Sequence, residues 1–72
     1  MSKLELLSVV ALLQDVPDEG LVRGQIGTVV ELLSPSAALV EFSDQQGHTY
    51  ALATLGSDSL IRLHDHPAEQ VA

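Results

Sequence analysis

The apolar stretches of this sequence are short, and each one ends at residues that turn a chain. The longest, Leu6–Leu13 (L-L-S-V-V-A-L-L), stops at the polar segment Gln14-Asp15-Val16-Pro17-Asp18-Glu19-Gly20. Ser34-Pro35-Ser36, Asp44-Gln45-Gln46-Gly47 and Gly56-Ser57-Asp58-Ser59 divide the rest. Brief aliphatic runs between Pro, Gly, Asp and Ser predict strands rather than long helices. None approaches the roughly 18–20 apolar residues of a membrane-spanning helix.

Five strands are expected. The first is Leu6–Leu13, where adjacent Val9 and Val10 favour extended backbone. The second is signalled by Ile26, Thr28, Val29 and Val30 and runs on to Leu33; Gly24 and Gly27 at its start mark a tight bend or a close backbone approach. Ala37–Ser43 and the segment from His48 to Leu55 form a hairpin, and Leu60–Leu63 closes the chain. Within the hairpin, a three-residue loop of Gln45, Gln46 and Gly47 sets Asp44 opposite His48, Phe42 opposite Tyr50 and Val40 opposite Leu52. That register gathers Ala38, Val40, Phe42, Tyr50 and Leu52 on one face. Five short strands, a long first loop and a 3-10 turn before the last strand predict an all-β, five-stranded antiparallel barrel of the SH3-like kind. It spans residues 4–63 as one domain, followed by a polar tail over 64–72. A helix over Leu4–Leu13 packed on a three-stranded sheet is the competing reading.

Composition narrows the chemistry. The chain has 72 residues, no Cys, 3 Lys and Arg against 10 Asp and Glu, and a formal net charge of −7. Without Cys there are no disulfides, thiolate metal sites or Cys nucleophiles. The charge opposes binding to phosphate backbones and anionic membranes. One Phe and one Tyr are too few for the aromatic platforms on which single strands stack. Met1-Ser2-Lys3-Leu4-Glu5 lacks the pattern of a secretory leader, so a cytoplasmic protein is expected.

The remaining candidates are few. Asp15, Asp18 and Glu19 crowd one loop, with Arg23 close by in sequence. They read either as an acidic patch for a basic partner or as a solvated loop that aids solubility. The spacing of His64-Asp65-His66 suits weak chelation of a divalent metal, with His48 as a distant third ligand, but a solvated tail is the simpler reading. Glu31 and Glu41 could lie across neighbouring strands as paired carboxylates. Ser34, Ser36, Ser57 and Ser59 all fall in turn-like segments, with no nucleophile elbow and no phosphate-binding loop. No catalytic residue and no cofactor are expected.

The surplus of aliphatic residues says more. The first strand is apolar on both sides, and in the second Val29 and Leu33 share a face with Glu31, opposite Ile26, Thr28, Val30 and Leu32. One barrel wall buries one such set. The other is available for self-association or a protein partner, or else the N-terminal segment wraps over the barrel's open end.

Four words of the sequence carry a family resemblance: V-V-A-L-L-Q-D-V-P (Val9–Pro17), G-L-V-R-G-Q-I-G-T-V-V-E (Gly20–Glu31), V-E-F (Val40–Phe42) and G-H-T-Y-A-L-A-T-L (Gly47–Leu55). In order and spacing they resemble the small bacterial proteins catalogued as domain of unknown function 4926. The resemblance implies an SH3-like barrel and supplies no activity and no catalytic residue. Arg23-Gly24-Gln25-Ile26-Gly27-Thr28-Val29 is also similar, more loosely, to KOW-type barrels, whose flanks are basic and contact RNA. Here the flanks carry Asp15, Asp18, Glu19 and Glu31. The function expected is therefore a non-enzymatic interaction or assembly module. It would form a homo-oligomer or partner a neighbouring bacterial protein, and its contact residues are expected among Asp15, Asp18, Glu19, Arg23, Val29 and Leu33. A KOW-like nucleic-acid-associated barrel is the alternative.

Overall fold

The structure, a computed structural model, describes residues 4–64. Its strands are β1 (Val9–Leu12), β2 (Ile26–Ser34), β3 (Ala37–Ser43), β4 (Thr49–Gly56) and β5 (Leu60–Arg62). Single 3-10 turns occupy Pro17–Glu19 and Ser57–Ser59, the second immediately before the last strand. All five strands form one antiparallel, barrel-like sheet in the order β4-β3-β2-β1-β5. The all-β architecture expected from the turn spacing is therefore present, and no α-helix occurs among the described residues.

The core follows from strand alternation. Val10 and Leu12 of β1, Val29 of β2, Ala38, Val40 and Phe42 of β3, Ala53 and Leu55 of β4 and Leu60 of β5 point inward, and Leu21 joins them from the first loop. Phe42 is the largest fully buried side chain. The β2–β3 register runs Thr28↔Glu41 and Val29↔Val40, then slips at Val30 and again at Leu33. One step back from Thr28↔Glu41, Phe42 comes opposite Gly27. A Cβ on Gly27 would sit 2.6 Å from Val40 Cγ1, 2.9 Å from the Glu41 carbonyl oxygen and 3.0 Å from Phe42 Cδ2. The close approach expected at this glycine is real, and its obstacle includes backbone, which cannot swing aside.

Two expectations need correction. The first strand does not begin at Leu6. Glu5 to Ser8 form a turn in which the Ser8 N–H donates to the Glu5 carbonyl at 3.0 Å, and the Glu5 N–H donates to Ser8 Oγ at 3.2 Å. Leu7 sits in this turn at φ 68, a conformation that costs a side-chain-bearing residue roughly 1–2 kcal/mol. Its N–H still reaches the Val29 carbonyl at 2.7 Å, so the turn is tied to β2.

The second correction concerns the hairpin. Its loop is as expected: the Gly47 N–H donates to the Asp44 carbonyl at 3.0 Å, and the Asp44 N–H donates to the His48 carbonyl at 2.9 Å. Gly47 takes φ 86, the left-handed position that this loop type assigns to glycine. Asp44 Oδ1 accepts from the N–H groups of Gln46 and His48, each at 2.9 Å. Beyond Ser43↔Thr49, however, the register shifts by one, to Phe42↔Ala51 and Val40↔Ala53. Tyr50 is the extra residue of the bulge. One inserted residue exchanges the faces of everything after it. Ala51, Ala53 and Leu55 therefore turn inward, while Tyr50 and Leu52 are left 49% and 52% exposed.

Two substitutions test this packing by urea unfolding. Gly27→Ala loses about 1–3 kcal/mol, because the added methyl overpacks against Val40 and the β3 backbone. Leu7→Gly leaves stability unchanged or raises it by up to about 1 kcal/mol, since relief of the left-handed strain offsets the chain entropy lost.

Candidate interaction surface

The acidic loop is a braced structure. Val16 and Leu21 bridge across it, with Val16 N–H to Leu21 O at 2.9 Å and Leu21 N–H to Val16 O at 3.1 Å. Between them Pro17 opens the 3-10 turn with its fixed φ, and Gly20 closes it as its N–H donates to the Pro17 carbonyl at 3.0 Å. Leu21 then buries its side chain in the core and anchors the loop to the barrel. Asp18 and Glu19 stand side by side on this turn, exposed to solvent.

Asp15 does something different. Its Oδ1 accepts the Arg23 backbone N–H at 2.9 Å, clasping the far side of the loop. Gln25 adds two more contacts: its Oε1 accepts from the Val22 N–H at 2.7 Å, and its Nε2 donates to Tyr50 Oη at 3.2 Å. Charge alone groups Asp15 with Asp18 and Glu19. The structure separates a carboxylate that holds the loop from two that face water. Nothing about a polar residue between Gly24 and Gly27 signals the loop-to-β4 brace that Gln25 makes.

The other named residues divide. Arg23 is exposed at the turn before β2. Val29 is fully buried in the core, so it cannot form part of a contact surface, contrary to expectation; it is registered opposite the inward-facing Val40, and the slip at Val30 comes only after it. Leu33 is 46% exposed at the end of β2 and lines an open groove with Leu4, Leu32, Ser34 and Pro35. Glu31 and Glu41 are not a cross-strand pair: Glu31 lies opposite Leu39, while Glu41 lies opposite Thr28 and Leu52 and accepts a hydrogen bond from Thr49 Oγ1. His48 stands in the hairpin loop, with Nδ1 3.6 Å from Asp44 Oδ2. His64 is the last described residue, so Asp65 and His66 lie outside the described residues. No group of three or more metal-ligating side chains comes together among the described residues, nor is any helix there long and apolar enough to cross a membrane.

The aliphatic surplus has a definite geography. Cross-strand partners share a face, so Ile61, Ala11 and Ile26 form one row across β5, β1 and β2, in which the two isoleucines are exposed and Ala11 is buried. Val9, Thr28, Glu41 and Leu52 form the next, across β1, β2, β3 and β4. Ile26 and Ile61 are 55% and 48% exposed. In these rows Glu41 is the single charged residue.

Fold and surface together define a small all-β, barrel-like domain with a braced acidic loop and an apolar outer face. The chain belongs to the family described as domain of unknown function DUF4926, whose model matches residues 6–62. No curated protein and no solved structure matches it.

The clasp is tested by substitution. Asp15→Ala destabilises the domain by about 1 kcal/mol, whereas Asp15→Asn, which retains an acceptor, loses less. Asp18→Ala and Glu19→Ala leave the urea midpoint unchanged.

Proposed function

We propose that this protein is a non-enzymatic interaction or assembly module, an acidic SH3-like barrel that works in the bacterial cytoplasm bound to another protein chain. The SH3-like reading is supported by β1 lying between β2 and β5, the long first loop and the 3-10 turn before the last strand. The observation that carries the function is the aliphatic surface remaining once the core is complete. Leu6, Leu7, Ile26, Leu32, Leu33, Leu52 and Ile61 are all exposed, although none is needed to fill the interior. On a small acidic protein, an exposed aliphatic set of this size, with Ile26 and Ile61 in one row, marks a contact surface. The chain is then an accessory or neutralising partner of a neighbouring protein, or assembles with itself.

The nucleic-acid reading draws less support. Arg62 forms an ion pair with Glu5 at 3.3 Å, and the backbone N–H of Arg23 is held by the Asp15 carboxylate.

The test is purification from the native host at low salt, followed by mass measurement of the intact species. A complex of defined stoichiometry is expected, and it is lost in Ile26→Asp and Ile61→Asp variants. Those variants stay folded at a cost of about 1–2 kcal/mol each, because both isoleucines are half-exposed and Asp is a poor strand former. A single free chain overturns the reading. So does RNA or DNA binding at low salt that disappears in Arg23→Ala and Arg62→Ala variants.

A further inference from the structure

The sheet has two edges, β4 and β5. An edge strand presents unpaired N–H and C=O groups to any strand that approaches, and native sheets blunt such edges with short length, charge, proline or a bulge. β5 is blunted, being three residues long with Arg62 among them. β4 is interrupted only by the bulge at Tyr50, near its start, and is regular from Ala51 to Gly56. It extends for eight residues (T-Y-A-L-A-T-L-G) without a charged side chain or a proline. Its outward side chains, Tyr50, Leu52 and Thr54, are all exposed.

We infer that β4 pairs antiparallel with β4 of a second copy of this chain about a two-fold axis, making one continuous sheet across both molecules. The inference rests on the interaction reading above and names its surface and partner. Unmet backbone groups along β4 call for an extended strand, and two observations favour a second copy as its source. The first is charge. At a net charge of −7, two copies repel over most of their surfaces. β4 itself carries no charge: Asp44 and Asp58 lie beyond its two ends, and Glu41, opposite Leu52 on β3 and hydrogen-bonded by Thr49 Oγ1, is kept from its counterpart by both β4 strands.

The second is self-complementarity. A two-fold axis must set each residue of the contact against its counterpart in reciprocal fashion. An axis through Leu52 places Leu52 against its own copy and Tyr50 against Thr54 on the outer side. On the inner side it places Ala51 against Ala53, small residues that let the strands close without a clash. Aromatic-to-β-branched and aliphatic pairs of this kind stabilise antiparallel neighbours. The pairing also prolongs the row Val9, Thr28, Glu41 and Leu52 into the second molecule.

Light scattering and sedimentation of the full chain over a concentration series test the inference. The wild type is expected at the mass of two chains, and Leu52→Lys at the mass of one with an unchanged circular dichroism spectrum. Thr54→Lys, at a second exposed position of the same edge, is expected to dissociate likewise, whereas Leu52→Val keeps the two-chain mass. Hydrogen exchange is expected to slow at outward amides of residues 49–56 in the wild type and to quicken in Leu52→Lys. A one-chain wild type at every concentration overturns the strand pairing, and leaves the broader interaction reading to the test for a foreign partner. A two-chain mass that both lysine variants retain also overturns the pairing while keeping self-association through another face.

Discussion

The barrel depends on the absence of one side chain at Gly27. β2 must cross β3 closely enough for a single Phe and a set of aliphatic residues to fill the interior. The Val40 methyl, the Glu41 carbonyl and the Phe42 ring already surround the place a Cβ would take. Val10 faces the same glycine from β1. The two halves of the sheet therefore share one contact, with Phe42 at its centre. In a domain of 72 residues, whose whole stability is about 4–11 kcal/mol, a buried Phe worth about 3–5 kcal/mol relative to Ala is a large part of the total.

Much of the fold was legible because its signals are local. Ala37–Ser43 alternates cleanly and is bounded by Ser34-Pro35-Ser36 and Asp44–Gly47, so β3 and the hairpin loop are found as expected. The 3-10 turn before β5 follows from the same turn chemistry. What failed was register. Nothing in T-Y-A-L-A-T-L announces that Tyr50 is an inserted residue, and Tyr and Leu are the residues one would bury. The structure turns Ala53 and the half-buried Ala51 inward instead, because Phe42 and Val40 already fill the space opposite them. At the other end, Ser8 was the one cue against a strand beginning at Leu6: a hydroxyl within an apolar run, there to hold a turn.

The surface was legible in kind and less so in detail. Charge alone could not distinguish Asp15, which accepts a backbone hydrogen bond, from Asp18 and Glu19, which do not share that clasp. An aliphatic surplus was evident from composition, but its location required the pairing. Val29, expected at the contact surface, lies inside, whereas Ile26 and Ile61, in one row, are brought together only through Ala11.

The pairing of β1 with β5 has a consequence for how the chain is made. Val10 and Leu12 meet Arg62 and Leu60, residues from opposite ends of the domain. Closing so long a loop costs entropy before any contact repays it, and topologies of this kind fold slowly. While the ribosome is still extending the chain, β1 therefore has no final neighbour on one side, and its valines and leucine wait uncovered. The β3–β4 hairpin can form early from adjacent residues, but the domain becomes complete only when its last strand arrives.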